Sequence, residues 1–426
     1  MEKNHPKYSA YLQILEEELV PAMGCTEPIA IAYGAAKARE LLGELPDEIL
    51  VEASGNIIKN VKSVVVPNTG GLHGIEAAAA AGVVAGRAEL LLEVISQVTP
   101  EQQEDMRAYL EEHPVRVDFL DGELVFDIQI TLRREGHSAM VRIANYHTNI
   151  VHMERDGEVL LELSVEADDE SGLTDRSLLT MADIYDFALT VDLDDVREVL
   201  DRQIQCNTAI AREGLANSYG ANIGQVIRAT SPADDPIAKA KAAAAAGSDA
   251  RMGGCEMPVI INSGSGNQGI TASVPVIVYG REIGASQEKI YRALVLSNLI
   301  TIHQKTRIGR LSAYCGAVSA GAAAGAGIAL LDGGGYEEIT HTVVNALAII
   351  SGMICDGAKA SCAGKIAAAI DAGILGYRMY QNGQQFYGGD GIISRGIEHT
   401  LDNVGRLGKI GMRSTDKEIL QIMLQT

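Results

Sequence analysis

Three cysteines in the last third of the chain have the residue type and the setting that metal chemistry needs. Cys315 lies in SAYCG, and Cys355 and Cys362 lie in ICDGAKASC, segments rich in Gly and Ala. Cysteines paired roughly two to four residues apart would indicate a zinc site. Here six residues separate the closer pair and the third thiol is 40 residues upstream, which suits an iron–sulfur cluster with one iron left open. Buried cysteines that only pack are the open alternative.

A fourth cysteine, Cys25, stands just before a predicted helix that begins in GCTEPIAIAYG. The dipole and the unpaired N–H groups of a helix N-terminus stabilise a thiolate, so the sequence predicts a lowered pKa for Cys25. Cys25 is therefore a candidate base or nucleophile, or a fourth cluster ligand, and a buried loop thiol is the alternative. Cys206 and Cys255 have no comparable setting and are interpreted as structural.

Two Gly-rich segments, SGSGNQG and NTGGLHG, supply candidate groups for binding a small substrate. Hydroxyl and amide groups in such loops can hydrogen-bond a carboxylate and an ammonium group, and a segment that leads into a helix can bind an anion. For NTGGLHG, a tight turn that needs positive φ is an equal alternative. The substrate-binding candidates are Ser263, Ser265, Asn267 and Gln268 in the first segment, Asn68 and His73 in the second, and Glu27 beside Cys25.

Other titratable side chains give weaker signals. His303 and Lys305 precede Cys315 and can either reach the same site or lie on the surface. His147 and His152 fall in one predicted strand on opposite faces, so they are not expected to bind a metal together.

Two common cofactors are not expected. SGSGNQG matches G-x-G-x-x-G, but Pro275 follows where the dinucleotide fingerprint needs an uninterrupted helix, and no acidic residue is suitably placed about 20 positions further on. We therefore expect no NAD. No lysine is singled out as an aldimine partner, so we expect no pyridoxal phosphate.

The elements that must position these residues form a helical part and an α+β part. Helices are predicted at 8–19 and 26–42, and again from residue 177 almost to the end. Between 48 and 164, extended segments, VKSVVVP among them, alternate with helices at 74–96 and 100–112. The sequence predicts an α+β fold: a mostly helical cluster-binding domain of residues 1–46 and 176–426, with an inserted smaller α+β domain of residues 47–175.

Composition narrows the possible partners. The 426 residues carry a formal net charge of −21, which disfavours nucleic acid and anionic membrane surfaces. The start of the chain lacks a signal-peptide pattern, and the uncharged segment 311–331 is mostly Ala, Gly and Ser, so a buried helix of a cytoplasmic protein is expected. The acidic linker at 166–175 is expected on the surface. Gly-rich helices are compatible with a homodimer.

Five separated motifs together resemble one family. They are GCTEP at Cys25, NTGGLHG at Asn68, SGSGNQG at Ser263, AYCG at Cys315 and ICDGAKASC at Cys355 and Cys362. In this order they resemble the iron–sulfur L-cysteine desulfidases, relatives of the alpha chain of iron–sulfur L-serine dehydratase. The likeness covers essentially the whole chain. In the dehydratases the stretch between the last two cysteines is longer, so the short spacer DGAKAS favours the desulfidase branch.

The resemblance implies a pyridoxal-independent β-elimination that converts L-cysteine into sulfide, ammonia and pyruvate. It implies that Cys315, Cys355 and Cys362 ligate a [4Fe-4S] cluster and that Cys25 accepts the proton. An iron with an open position can act as a Lewis acid on the leaving sulfur while a thiolate removes the weakly acidic Cα proton. An oxygen-sensitive lyase is therefore expected. Serine or threonine deamination on the same cluster, and a non-catalytic redox or storage role, are the alternatives.

Overall fold

A computed structural model of the protein describes residues 1–166 and 172–425. Its architecture is α+β and mostly helical, which confirms the predicted fold class. The α-helices are α1 (Tyr8–Glu18), α2 (Thr26–Leu42), α3 (Gly55–Val61), α4 (Gly74–Ala85), α5 (Pro100–Glu112), α6 (Met181–Thr190), α7 (Leu193–Ala216), α8 (Ile223–Thr230), α9 (Pro236–Met252), α10 (Gly266–Glu282), α11 (Gln287–Ile308), α12 (Gly316–Leu331), α13 (Tyr336–Ile350), α14 (Cys362–Gln381), α15 (Ile397–Arg406) and α16 (Arg413–Gln425). The strands are β1 (Pro21–Met23), β2 (Glu48–Ala53), β3 (Val115–Phe119), β4 (Asp127–Arg134), β5 (His137–Ala144), β6 (Ile150–Arg155), β7 (Glu158–Glu162) and β8 (Pro258–Ile260).

Six strands form a mixed sheet in the order β3-β2-β4-β5-β6-β7. The β2–β3 pair is parallel and the other pairs are antiparallel. Alternate residues of β4, Ile128, Ile130 and Leu132, are fully buried, as the period-two pattern of a half-covered strand predicts. The sheet therefore has one apolar face that a helix must cover.

Helix α2 covers that face and so ties the sheet to the start of the chain. A Cβ on Gly34 of α2 would lie 2.8 Å from the Ile130 side chain, and one on Gly82 of α4 would lie 2.3 Å from the Ala32 carbonyl oxygen. Glycine at these two points lets α2 pack closely between the sheet and α4. Since α2 begins directly after Cys25, the sheet fixes the position of that thiol. The domain boundaries at 46 and 175 stay predictions.

The remaining helices surround α12, which is buried along nearly its whole length. It packs against α10, α11, α13 and α14. Cβ atoms on Gly321 and Gly325 would lie 2.5 and 2.6 Å from the backbone carbonyl carbons of Ala369 and Gly373 in α14. Small residues therefore bring α12 and α14 into backbone contact, and the N-termini of these two helices carry Cys315 and Cys362.

Several element predictions are wrong. VKSVVVP was expected to be a strand, but α3 ends at Val61. Val64 and Val66 are buried outside any strand, and Val65 forms a single bridge with His73. The helix expected at 74–96 ends at Ala85 and is followed by a 3-10 helix at Ala88–Glu93. The helices α8 and α15 were not predicted.

The prediction that Pro275 interrupts the helix after the Gly-rich segment is wrong. The proline was expected to break a helix after the Gly-rich segment, yet α10 continues through it from Gly266 to Glu282. An interior proline costs about 3 kcal/mol, and burial of nearly the whole helix outweighs that cost. The strand before this segment, β8, pairs antiparallel with β1, which is unlike the parallel sheet that leads into a dinucleotide-binding turn.

Within the described ranges, no helix has the length and apolar character needed to cross a membrane. The uncharged stretch at 311–331 contains α12, which is buried among the other helices. Residues 167–171 of the predicted acidic linker lie outside the described residues.

Candidate active site

Cys25 is the N-cap of α2 and is placed there by a sharp turn after β1. Gly24 has φ of 56°, and a Cβ on it would lie 2.7 Å from Pro67, so only glycine makes this turn without strain. The Cys25 thiol is buried and donates a hydrogen bond to Oε2 of Glu27 at 3.1 Å. Cys25 and Glu27 therefore form a hydrogen-bonded pair.

The expected lowering of the Cys25 pKa is wrong. Burial raises the pKa of Cys25 well above its usual value, and the adjacent Glu27 carboxylate raises it further, while Arg251 opposes both. Desolvation of the anion outweighs the helix dipole here because the thiol is closed off from water. Cys25 is thus a protonated thiol at neutral pH.

Glu27 is the anionic member of the pair. Burial alone would raise its pKa, but His147, the Cys25 thiol and Arg251 lower it below its usual range. Burial lowers the pKa of His147 to about 4, so the imidazole is neutral at pH 7 and hydrogen bonds are the main support of the charge. Asn60 Nδ2 donates to Oε1 of the Glu27 carboxylate at 3.0 Å, and the Cys25 thiol donates to Oε2.

The three late cysteines lie at or beside the termini of three helices. Cys315 is the N-cap of α12, Cys355 follows α13, and Cys362 opens α14. A short bridge joins two of their segments: the Cys315 N–H donates to Met353 O at 3.1 Å, and the Cys355 N–H donates to Ala313 O at 2.6 Å. This pairing sets Cys315 and Cys355 side by side, which the sequence spacing does not show.

The thiols of this triad influence one another. Burial, with contributions from Cys355 and Cys362, raises the pKa of Cys315 to about 12. Burial also raises the pKa of Cys362, again with a contribution from Cys355. Among the described residues, no group of His, Cys, Asp or Glu is arranged to hold a single metal ion. The triad is therefore a set of neighbouring thiols without the close geometry of a one-ion site.

One pocket, about 710 Å³ including its open mouth, brings most of the predicted site together. The predicted residues that line it are Cys25, Glu27, Ser265, Asn267, Gln268, Cys315, Cys355 and Cys362. The Gly-rich segment reaches the pocket because Thr26 Oγ1 donates to Gly264 O at 2.8 Å. Ser265 is the N-cap of α10, so Asn267 and Gln268 lie in its first turn.

Three predicted substrate residues lie elsewhere. Asn68 is buried, and its Nδ2 donates to Ile95 O at 2.8 Å, so its amide stabilises a turn. His73 is an exposed N-cap of α4. Ser263 donates to Asn262 Oδ1 at 2.9 Å and lines a neighbouring cavity. The structure does not bring Asn68, His73 or Ser263 into the pocket that holds the cysteines.

Basic side chains complete the pocket, and sequence analysis anticipated only one of them. Lys305 lines it, and burial lowers the pKa of Lys305 to about 8 against the opposing effect of Cys355 and Cys315. His303 is turned away and hydrogen-bonds Glu398 at 2.9 Å. Arg251 and Arg310 also line the pocket. No motif marks either arginine, since both are brought in by folding.

His147 is a second residue that sequence analysis missed. It was assigned to a strand, but it lies in the loop between β5 and β6, buried, with its ring 4.8 Å from that of Phe126. A Cβ on Gly264 would lie 2.9 Å from His147 Cε1. The imidazole therefore lies behind the Gly-rich segment and interacts electrostatically with Glu27.

Comparison with known proteins assigns the family. The sequence profile described as serine dehydratase alpha chain matches residues 89–421. The chain belongs to the serine dehydratase alpha chain family. A UPF0597 protein of Desulfitobacterium hafniense (strain Y51) is 60% identical over 424 residues, which are 100% of this chain and 98% of that protein. UPF0597 proteins of Lachnoclostridium phytofermentans and Treponema denticola are 52% and 47% identical and cover 98% and 100% of this chain, each at 100% of its own length.

The part of the chain that matches the serine dehydratase alpha chain profile contains Cys315, Cys355 and Cys362, and it also contains Arg251. Cys25 and Glu27 precede the match. The pocket of this family member is therefore built from the matched segment and from an N-terminal segment outside the match.

Proposed function

We propose that the protein is an L-cysteine desulfidase. L-Cysteine and water would be converted into hydrogen sulfide, ammonia and pyruvate: the Cα–H and Cβ–S bonds break, and the aminoacrylate that forms is hydrolysed. The observation that carries this proposal is that the Cys25–Glu27 pair and the thiols of Cys315, Cys355 and Cys362 line one pocket. A β-elimination needs a proton acceptor and a group that assists the leaving sulfur, both within reach of one small substrate.

The thiol triad fits a [4Fe-4S] cluster held by three cysteines. Each iron of such a cluster takes one thiolate, so the ligands stand further apart than those of a single ion. Cys315 and Cys362 begin helices, whose N–H groups favour thiolate charge, and Lys305 and Lys365 interact electrostatically with the triad. When bound, the cluster would supply a Lewis-acidic iron for the leaving sulfur.

The Cys25–Glu27 pair would serve as the proton acceptor. Because the Cys25 pKa is raised and the Glu27 pKa is lowered, the thiol proton must pass to Glu27 before the sulfur can take the Cα proton. The hydrogen bond of 3.1 Å provides the path. Asn60 donates to Oε1 of the carboxylate and so keeps Oε2 directed at the Cys25 thiol. A role in storage or redox sensing would not need this pair.

L-Serine is the second candidate substrate, because the family is named for serine dehydratase. The same pocket would then eliminate water in place of sulfide. The two substrates differ only in the leaving group, so the structure offers the same proton acceptor to both. The short segment between Cys355 and Cys362 supports L-cysteine.

Turnover by anaerobically purified protein tests the proposal. We expect sulfide and pyruvate from L-cysteine in equal amounts, with much slower pyruvate release from L-serine. Cys25→Ala should lower kcat by about 100-fold or more, since general-base catalysis contributes about 10²–10⁴. Cys206→Ala is the matched control, because that thiol lies outside the pocket, and it should keep wild-type rates. Sulfide release that survives Cys25→Ala would exclude Cys25 as the base. Pyruvate release from L-serine but not from L-cysteine would identify L-serine as the substrate.

A further inference from the structure

Arg251 is a buried cation that forms no ion pair with another described residue. It lies in the last turn of α9, is 2% exposed and lines the cysteine pocket. Within residues 1–166 and 172–425, its Nε has no hydrogen-bond partner and its guanidinium forms no ion pair. An ionised group buried without a partner is costly. A guanidinium in this setting can bind an anion that enters the pocket.

Two other cations of the pocket form ion pairs with carboxylates. Arg310 pairs with Glu18 at 2.7 Å, and Lys365 pairs with Asp356. Lys305 lies on the side of the pocket that carries the thiols of Cys355 and Cys315. Arg251 acts on a different part of the pocket, since its charge is felt by Cys25, Glu27 and His147. The positive charge of Arg251 therefore lies on the side of the proton acceptor.

Glycines shape the pocket around Arg251 and around a second unpartnered group, the Gln268 amide. A Cβ on Gly266 would lie 2.3 Å from Arg251 Nε, and one on Gly316 would lie 2.5 Å from Gln268 Cδ. Gln268 is 5% exposed, and its Oε1 has no partner among the described residues. Both side chains line the pocket, so the Arg251 guanidinium and the Gln268 carbonyl oxygen are both available to a ligand.

We infer that Arg251 binds the α-carboxylate of the substrate and that Gln268 Oε1 accepts a hydrogen bond from its ammonium group. A guanidinium fork matches a carboxylate with two parallel hydrogen bonds. The ligand class is a small L-α-amino acid with a free carboxylate, with its Cα held toward Cys25. This inference rests on the proposed function and assigns Arg251, which no motif indicates, as the residue that selects the carboxylate.

Binding of L-alanine, which has no leaving group, tests the inference without turnover. Calorimetry on anaerobically purified protein would compare L-alanine with L-alaninamide, which lacks the carboxylate charge. Wild type should prefer L-alanine by about 100-fold, the value of a charge-assisted bidentate contact. Arg251→Gln should bind L-alanine about 100-fold more weakly and should lose the preference. The exposed Arg197→Gln is the control and should match wild type.

Two results would overturn the inference: wild-type protein that binds neither ligand, or Arg251→Gln that still prefers L-alanine. Where thermal melting shows Arg251→Gln to be unfolded, Arg251→Lys replaces it, since it keeps the charge and loses the fork. It should then show a reduced preference, and an unchanged one would contradict the assignment. Failure of the proposed function is distinct, because L-alanine would bind through Arg251 while neither L-cysteine nor L-serine is turned over.

Discussion

At the scale of single residues, burial and the pairing with Glu27 reverse the predicted direction of the Cys25 pKa shift. Its position at a helix N-terminus predicts an acidic thiol, yet burial and the neighbouring carboxylate raise its pKa. A helix dipole stabilises a thiolate by about 1 kcal/mol, whereas the free-energy cost of desolvating a buried anion is larger. Sequence shows the helix start but not the burial, which depends on Val64 and Met252 packing beside the thiol.

Glu27→Gln should make the Cys25 thiol more reactive toward iodoacetamide. The substitution removes the carboxylate charge that raises the Cys25 pKa and leaves size nearly unchanged, so the thiolate fraction at pH 8.5 should rise. The rate of alkylation of the Cys25 peptide, followed by mass spectrometry, measures this. Cys206 in the same samples is the internal control. An equal or slower rate at Cys25 would mean that Glu27 does not govern its ionisation.

The residues that sequence analysis found and missed differ in one respect. Cys315, Cys355 and Cys362 were found because each lies in a short motif with a chemical signature. Arg251 was missed because it ends an Ala-rich helix with no motif. His147 was missed because its loop was taken for a strand. Residues that reach a site only through tertiary folding carry no local signal.

At the scale of elements, the contact between α12 and α14 positions two of the three late thiols. Gly321 and Gly325 lie in the uncharged segment 311–331, for which the sequence predicts a buried helix. Their structural role is to let α12 approach the backbone of α14. Periodicity could indicate a buried helix, but it could not indicate which helix is its neighbour.

Gly325→Ala should lower the free energy of unfolding by about 1–3 kcal/mol, as an overpacked core does, because its Cβ would lie 2.6 Å from Gly373. Gly364→Ala in α14 is the matched control: among the described residues, no atom beyond its own stretch of helix lies within 4 Å of its Cβ position, and helix propensity favours alanine by about 1 kcal/mol. Urea denaturation measures both. Equal effects of the two substitutions would contradict the close contact.

Helix α16 is fixed to α3 by a buried ion pair. Lys59 and Asp416 are 2% and 14% exposed, and their charged atoms are in contact. A Cβ on Gly357 would lie 2.3 Å from Lys59 O, so α3 also touches the segment that carries Cys355. The C-terminal helix thereby supports the cysteine pocket from outside.

Asp416→Asn should destabilise the protein by about 3 kcal/mol, because it leaves Lys59 as an unpaired buried charge. The double variant Lys59→Met with Asp416→Leu should recover most of that loss, since two apolar groups can replace the pair. Urea denaturation measures the free energy of unfolding of the two variants. A double variant as unstable as Asp416→Asn would show that the charge pair is not the cause.

At the scale of the whole molecule, the fold class was predicted and the details of packing were not. Strong alternation identified the strands of the sheet, and small-residue composition identified buried helices such as α12. Helix α10 was missed because Pro275 was given its ordinary helix-breaking role, which burial overrides. The two-domain division, the cytoplasmic location and the homodimer stay predictions.

Acidification should destabilise the protein from about pH 6.5 downward through His147. Its pKa is lowered from 6.5 to about 4 by burial, so the neutral ring favours the folded state above pH 6.5, and this stability is lost as pH falls toward 4. The loss between pH 7 and pH 5 should be about 2 kcal/mol. Urea denaturation of His147→Phe, which cannot titrate, should show a smaller loss over that interval, and an equal loss would contradict the assignment to His147.

Iron and sulfide content per chain tests the central claim, that the thiols of Cys315, Cys355 and Cys362 hold a cluster. After anaerobic purification, wild type and the control Cys206→Ala should contain about four irons and about four sulfides per chain, with broad visible absorbance. Cys355→Ala should retain its fold by circular dichroism and lose most of the iron. Iron content that is unchanged in Cys355→Ala, or a colourless wild type that resists reconstitution, would contradict the claim.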